Sequence, residues 1–405
     1  MNPKLKPILL LCALSASALN VFAQNLVVTS NTTVSGTHYE NRGTTAALTN
    51  TGAWTFTGSD LTLTGTGDSG SGQDGARFTG GGTLNLSSGT INANRNGIYL
   101  GNTSAATVKD TTITTTGSAG RGITVSQQSN ATVTDATIST HGNNAAGFYT
   151  TGTSTLTVKG GTVTTAGSTA YGIYATQQST AAVTDAVIST DNSDATGIYV
   201  NGTSILTVNG GTITTTGSSA QGIYVSQQAT GTATDVTIST HGNSSNGLFV
   251  NAASTLTVNG GTITTTGSTA RGIYVNQQAT ATVTDITILT HSYNSNGITA
   301  ANSSTLTLNG GDIVTAGGAS SGITVSYAST AQVSALAVET SGYQAHGLRV
   351  YYGGVDAESA STGIFDQVQV LTHGDGSHGA MIGGGTTTTY SHAEFTDSTI
   401  ITEGS

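Results

Sequence analysis

Residues 254–275 read STLTVNGGTITTTGSTARGIYV and contain three short strand-like runs: TLTV, TITTT and GIYV. The glycine of the third run belongs to a series of eleven glycines, from Gly97 and Gly122 to Gly347, with a constant 25-residue spacing. Three short strands in each period, with apolar residues at alternate positions and no helical period, predict an all-β solenoid. Because parallel connections are almost always right-handed, we expect a right-handed parallel β-helix with about 25 residues per turn, or rung.

The constant spacing places equivalent residues in columns along the coil. The residue after each of the eleven glycines is Ile, Leu or Phe, so this column is expected to face the interior. Side chains in one column would lie about 4.8 Å apart, the spacing of paired strands. A second column runs from Thr115 to Thr340 and is threonine in all ten rungs. We expect it to face inward, with its hydroxyls paired along the axis.

The composition excludes several classes of protein. The 405 residues include 56 glycines but only two prolines, and 7% of them are charged. So little charge, with many β-branched residues, argues against a disordered chain, and the absence of a Gly-X-Y period excludes collagen. Ten Lys and Arg against twenty Asp and Glu provide no basic stripe, so no nucleic-acid partner is expected.

Residues 1–23 are typical of a Sec signal peptide. Lys4 and Lys6 precede an apolar run at 8–19, which is too short to span a bilayer. The only cysteine, Cys12, lies in this segment, so the exported chain is expected to be stabilised without disulfides.

The rest of the chain divides into three segments. Residues 24–80 are less regular and are predicted to form an N-terminal cap and the first irregular rungs. Residues 81–350 hold the regular β-helix repeats. After an insertion, YYGGVDAESAST, residues 351–405 are expected to continue the β-helix irregularly and to end within a rung.

The signal peptide, the cysteine-free remainder and the repeats together resemble autotransporter passenger domains, of the pertactin-like and self-associating adhesin type. The resemblance covers the whole chain and rests on repeat texture rather than on a catalytic motif. It implies a right-handed β-helix that reaches the cell surface or the medium of a Gram-negative bacterium. It also implies export through an outer-membrane β-barrel, which this chain lacks, so the chain is expected to be truncated before that barrel.

The acidic and histidine residues form no recognisable catalytic constellation. Most outward strand positions are Thr or Ser, and the acids among them are Asp312 and Glu339. Further acids and histidines recur at turns, mainly in alternate rungs, about 9.6 Å apart, which is too far for a shared metal ion or an acid–base pair. We therefore expect no catalytic residue, metal site or cofactor. These turn residues are Asp110, Asp135, Asp185, Asp235, Asp285, His141, His241 and His291.

An aromatic column is the strongest candidate for a binding surface. It alternates with buried apolar columns and is therefore predicted to point outward, where it could bind a ligand or simply stack to stabilise the sheet. Its six consecutive members are Tyr149, Tyr174, Tyr199, Tyr224, Phe249 and Tyr274.

These observations favour a non-enzymatic adhesin that acts through repeated contacts along a rigid rod. Its partners would be a host or bacterial surface protein or glycan, or a second copy of the chain. One alternative is an enzyme similar to the β-helix polysaccharide lyases and hydrolases, which requires clustered carboxylates. The other is an ice-binding or purely structural stalk, suggested by threonines at alternate outward positions.

Overall fold

The computed structural model describes residues 22–41, 45–67, 73–353, 360–383 and 391–403. Apart from a single 3₁₀ residue at Gln73, every regular element in these ranges is a β-strand, and every strand pairing is parallel. The strands form two long sheets that coil together, which confirms the predicted all-β parallel solenoid.

Within the described residues one sheet contains 15 strands, a single strand from each successive rung. Its strands are Leu26–Val28, Leu48–Asn50, Ala76–Phe78, Asn96–Leu100, Arg121–Val125, Ala146–Thr150, Tyr171–Ala175, Ile198–Val200, Ile223–Val225, Leu248–Val250, Ile273–Asn276, Ile298–Ala301, Ile323–Ser326, Leu348–Tyr351 and Ala380–Ile382.

The other sheet contains 26 strands in the part of the chain that the structure describes, because most rungs contribute two strands that meet at a bend. Its strands are Phe22–Gln24, Thr32–Ser35, His38–Asn41, Thr55–Gly65, Thr83–Ala93, Ala105–Thr115, Asn130–Thr134, Thr137–Thr140, Thr155–Lys159, Thr162–Thr165, Thr180–Thr184, Val187–Thr190, Ile205–Asn209, Thr212–Thr215, Thr230–Thr234, Thr237–Thr240, Thr255–Asn259, Thr262–Thr265, Thr280–Thr290, Thr305–Thr315, Thr330–Ser334, Ala337–Thr340, Ser361–Asp366, Gln369–Thr372, Ser391–Thr396 and Thr399–Thr402.

The strand register follows the sequence period. Ile173 pairs with Ile198 and Ile198 with Ile223, and the same 25-residue offset holds at every pairing in this central region. Near the start the offset varies, as in the pairings of Leu26 with Leu48 and Leu48 with Ala76. These early strands already belong to the two long sheets, although they precede the regular repeats.

The interior is a continuous apolar core between the two sheets. Ile173 is fully buried, whereas its neighbour Tyr174 is only half-buried on the outer face, as the alternation predicts. The repeated glycine has a steric reason. A Cβ on Gly172 would collide with the Ile188 side chain and with the carbonyl oxygen of Gly197, so a larger residue would push the two sheets apart.

The threonine column is fully buried, but its hydroxyls do not pair along the axis as expected. From Thr190 onward each hydroxyl donates to a backbone carbonyl oxygen later in its own rung, as in Thr215 to Ala220 at 2.8 Å. The reason is that the bend after this strand leaves a buried carbonyl facing inward, and a buried acceptor without a partner is costly. From Thr190 to Thr340 the column therefore stabilises a bend within each rung, whereas the hydroxyls of Thr115, Thr140 and Thr165 are buried without a partner among the described residues.

The insertion after the regular repeats displaces the register without ending the fold. Leu348 pairs with Ala380 and Ala331 with Gly363, so the offset between partners is equally lengthened in both sheets. Residues 354–359 of the insertion lie outside the described residues, and so does the predicted signal peptide except for its last two residues.

Candidate functional site: the aromatic ladder and the glutamine turns

The six predicted aromatic residues lie together on the outer face of the 15-stranded sheet, all half-buried. We call this column the aromatic ladder. Each strand contributes one ring, because the 25-residue register brings the column into line. Ring centroids are 5.1 Å apart for Tyr174 and Tyr199, and 4.7 Å apart for Tyr199 and Tyr224. The sequence therefore identified both the membership and the outward direction of the ladder.

The orientation of the rings decides what the ladder can offer a ligand. From Tyr174 to Tyr274 the planes of neighbouring rings differ by only 4° to 14°, so the rings stack face to face along the coil. Tyr149, at one end, is tilted by 54° against Tyr174. The faces of the stacked rings cover one another, so a ligand that approaches the ladder meets ring edges. Stacking a sugar flat on a ring is therefore not possible along this stretch without opening the ladder.

Two arginines lie over the outermost rings. The Cζ atom of Arg121 is 3.7 Å from the centroid of Tyr149, and that of Arg271 is 4.3 Å from the centroid of Tyr274. Burial lowers the pKa of both guanidinium groups, and the adjacent tyrosine opposes this shift. Guanidinium groups over ring faces are attracted to the ring quadrupole, so these arginines close the ladder at its ends.

The tyrosine hydroxyls face a row of polar side chains. Asn201 Nδ2 donates to the hydroxyl of Tyr199 at 3.0 Å, and Asn251 Nδ2 lies 3.4 Å from that of Tyr224. Burial and neighbouring tyrosines raise the pKa of Tyr171, which packs beside the ladder, to about 12. The amides of Asn201 and Asn251 form a neutral, hydrogen-bonding row beside the tyrosine hydroxyls.

A second repeated feature escaped the sequence analysis. Glutamine pairs occupy the turn between the two sheets in every second rung, and we call them the glutamine turns. All eight side chains are exposed, and all eight residues have left-handed backbone, with φ between 53° and 64°. The sequence signal was a QQ dipeptide that recurs every 50 residues, which is twice the basic period. Columns compared every 25 residues conceal it, because glutamine alternates there with small residues. The pairs are Gln127–Gln128, Gln177–Gln178, Gln227–Gln228 and Gln277–Gln278.

The glutamine turns are the ribs of a groove that follows the coil. In the rungs between them the same two positions hold small residues, such as Gly152-Thr153 and Gly202-Thr203. The resulting hollow has a volume of about 1190 Å³ and runs from Asn102 to Ala252. A second hollow of about 510 Å³, starting at Ala252 and reaching Tyr327, continues it. No residue that lines either hollow carries a charge at neutral pH.

The turn acids and histidines take positions that agree with structural roles. Asp135 is exposed and has left-handed backbone, and the ring of exposed His141 lies 3.4 Å from the carbonyl oxygen of Thr115. The described residues contain no group of three His, Cys, Asp or Glu side chains placed to hold a metal ion.

One acidic cluster lies near the end of the described coil. His373 contacts Glu339 at 3.3 Å through Nε2 and Glu403 at 3.1 Å through Nδ1. Asp312 and Glu339 also line a hollow of about 300 Å³ on the outer face of the 26-stranded sheet. These are the two outward acids that the sequence singled out.

Comparisons with known proteins agree with this architecture. A family model described as a right handed β-helix region matches residues 15–163 and 171–335. The Vag8 chain in the cryo-EM structure of the Vag8–C1 inhibitor complex superposes with a TM-score of 0.66 at 18% identity, over 84% of this chain and 91% of that chain. Vag8 is an autotransporter passenger, so the expected resemblance to that class is confirmed at the level of fold. No curated protein sequence matches this chain. In the described part of the chain, no helix has the length and apolar character needed to cross a bilayer.

Proposed function

The chain belongs to the right-handed β-helix family, and from this premise we propose that it is a surface passenger that acts by adhesion and not by catalysis. The right hand of the coil is part of the proposal, because parallel crossover connections adopt it almost without exception. The single observation that carries the proposal is the uninterrupted outer face formed by the aromatic ladder and the adjacent polar row. This face repeats the same chemistry over six rungs.

Repetition favours adhesion because weak contacts add along a rigid surface. When one rung of the ladder touches a partner, its neighbours are held close to the next repeat of that partner, and the effective concentration is high. Ring edges, tyrosine hydroxyls and amides suit a protein surface, a glycan or a second copy of the chain. Vag8, which shares the fold, is seen in complex with a protein, the C1 inhibitor.

The proposed location is the cell surface or the medium of a Gram-negative bacterium. It is supported by the signal-peptide features of residues 1–23 and by the passenger-like fold.

An adhesion assay tests the proposal directly. Beads coated with the purified protein are scored for clumping and for binding to bacterial and epithelial cells. A variant with Tyr174→Ser, Tyr199→Ser and Tyr224→Ser should lose adhesion roughly tenfold, because three adjacent contacts disappear together. Circular dichroism must show that its coil is intact. The same positions changed to Phe keep the ring edges and remove only the hydroxyls.

A matched control lies on the opposite sheet. Thr164→Ala, Thr214→Ala and Thr264→Ala remove three half-buried outer side chains from one column of the 26-stranded sheet. This variant should adhere like the unaltered protein. Equal adhesion of the serine variant and this control would reject the ladder as the adhesive surface, and no adhesion by the unaltered protein would reject the function.

A polysaccharide-degrading activity is the second candidate, and the hollow lined by Asp312 and Glu339 is what favours it. Most glycoside hydrolases use two carboxylates that flank the scissile glycosidic bond. Release of reducing ends or of unsaturated sugars from neutral and acidic polysaccharides tests it. Activity that Glu339→Gln abolishes would replace the non-catalytic proposal.

A further inference from the structure

We propose that the glutamine turns form a binding site for an extended, uncharged polysaccharide chain that lies in the groove along the coil. The inference deepens the proposed adhesive function and rests on it for its biological setting. The site itself is a separate surface, on the turn beside the ladder. Four features support this site: free amides, a turn backbone that does not require glutamine, the absence of charge and the spacing of the turns.

The glutamine amides are available to a ligand. Of the eight side chains, one makes a hydrogen bond within the described part of the chain, from Thr151 Oγ1 to Gln177 Oε1 at 2.8 Å. The other seven are exposed and have no partner among the described residues. They also cannot bond to one another along the coil, because successive glutamine turns lie two rungs, about 9.6 Å, apart. A primary amide has two donors and a double acceptor, and these match sugar hydroxyls, which both donate and accept.

The backbone of the turn does not call for glutamine. Both residues of each pair are left-handed, a conformation that glycine adopts freely and that glutamine adopts only with strain. The intervening rungs fill the same left-handed turn with Gly152-Thr153, Gly202-Thr203 and Ala252-Ala253, so the long glutamine side chain has to be explained by something other than local conformation.

The absence of charge selects the class of ligand. The residues that line the groove are Asn, Thr, Gln, Gly, Ala, Ser and one Tyr, none of which is charged at neutral pH. A nucleic acid requires cationic side chains to displace its counterions, and acidic polysaccharides need the same complement. An uncharged chain rich in hydroxyls has no such requirement.

The spacing separates a glycan from a peptide. Equivalent glutamines recur about every 9.6 Å, whereas an extended peptide repeats its side-chain direction about every 6.8 Å. In an extended β-1,4-linked hexose chain alternate sugars present the same face. The length of this two-sugar repeat is close to the distance between glutamine turns two rungs apart. Each disaccharide would therefore meet one glutamine turn, with a Gly-Thr rung beneath the sugar between them.

The chain itself supplies the substitution that tests the site. In the test variant Gln127, Gln177 and Gln227 are changed to Gly, and Gln128, Gln178 and Gln228 to Thr. This copies Gly152-Thr153 and Gly202-Thr203, so the fold already accommodates the replacement. The outer-face control described above, with Thr164, Thr214 and Thr264 changed to Ala, leaves the groove untouched.

Isothermal titration calorimetry with cellohexaose and chitohexaose measures the binding. We expect the unaltered protein and the control to bind at least one of these hexasaccharides, and to bind it more tightly than its disaccharide. The test variant, which lacks three of the four glutamine pairs, should bind it at least tenfold more weakly. Hexagalacturonate, which is charged, should bind more weakly than the neutral sugars.

Three outcomes would overturn the proposal. They are no binding of either neutral hexasaccharide, unchanged binding by the test variant, and glutamine-dependent binding of an extended Ser/Thr peptide in place of the sugars. Bead adhesion measured on the same preparations keeps the two hypotheses apart. Adhesion without sugar binding rejects the groove alone, and sugar binding without adhesion rejects the adhesive function alone.

Discussion

The carboxylate of Asp135 occupies the space beside Gly160 in the next rung where a Cβ would have to lie. Both residues have left-handed backbone, with φ of 51° and 61°. The same arrangement recurs two and four rungs later, at Asp185 with Gly210 and at Asp235 with Gly260. The alternation of aspartate and glycine in this column is therefore a steric pairing between neighbouring rungs.

Gly160→Ala should destabilise the coil by about 2 kcal/mol or more, because alanine is strained at this φ and its Cβ meets the Asp135 carboxylate. In an Asp135→Ala background, which resembles the native Ala335 in the same column, the cost should fall to the backbone strain alone, about 1 kcal/mol. Denaturant titration of the double-mutant cycle measures the coupling. Equal costs in the two backgrounds would show that the carboxylate is not responsible.

Tyr199 should contribute to stability chiefly by stacking. It has a parallel ring on each side, so Tyr199→Ser is expected to cost about 1–3 kcal/mol, at about 0.5–1.5 kcal/mol per ring pair. Tyr199→Phe keeps both stacks and loses the Asn201 hydrogen bond, for about 1 kcal/mol or less. Thermal unfolding followed by circular dichroism compares them, and a serine variant as stable as the phenylalanine variant would contradict the stacking role.

Arg271 should stabilise the end of the ladder through its contact with Tyr274 and not through a hydrogen bond, because its buried Nε has no partner among the described residues. We expect Arg271→Ala to cost about 1 kcal/mol. In a protein that already carries Arg271→Ala, the substitution Tyr274→Ala should then lower the free energy of unfolding by less than it does in the native protein. Strict additivity of the two substitutions in denaturant titrations would exclude a direct interaction.

His346 should make stability depend on pH. Burial, Arg349 and His378 lower the pKa of His346 to about 4, and its Nδ1 accepts a hydrogen bond from the backbone N–H of His378, which the neutral ring alone can do. The folded protein thus binds this proton less readily than the unfolded chain, whose histidine has its ordinary pKa of 6.5. Its stabilising contribution is complete above pH 6.5 and is lost as the pH falls towards 4, by about 1 kcal/mol after allowance for solvent screening.

Melting temperatures at pH 7 and pH 5 check this expectation. His346→Gln should flatten the decline between the two values, and His141→Gln, at an exposed turn, should leave it unchanged. A decline of the same size in all three proteins would assign the pH dependence to other groups.

Replacing a glutamine of the glutamine turns by glycine should stabilise the coil, because it relieves backbone strain, even though it removes the proposed ligand contacts. Gln177→Gly places glycine at φ of 56°, and relief of the backbone strain is expected to add about 1 kcal/mol to the free energy of unfolding. The greater conformational entropy of glycine in the unfolded chain offsets part of this gain. Ala166→Gly, at a half-buried position of the same rung, tests the entropy term alone. A Gln177→Gly protein that melts below the native one would mean that the side chain supports the fold.

Sequence reasoning succeeded where one residue's position depends on the period alone. Ile173 is inside and Tyr174 outside because side chains alternate along a strand, and Tyr174 stacks on Tyr199 because they are one period apart. It failed for the Thr215 hydroxyl, whose acceptor depends on where a bend turns its carbonyl. It also overlooked Gln177. The column of this residue holds glutamine in every second rung and a small residue in the rungs between, so a comparison at the 25-residue period does not reveal a shared residue type.

The sequence by itself determined a parallel β-solenoid, its buried and exposed columns and the line of six aromatic rings. The 25-residue period fixes the column to which a side chain belongs, and the alternation of side chains along a strand fixes the face from which it projects. The tertiary structure alone decided that the rings cover each other's faces, that arginines lie over the end rings and that glutamine pairs are the ribs of an uncharged groove. Those features depend on rotamers, on left-handed turns and on the relative size of residues in neighbouring rungs, none of which the period specifies.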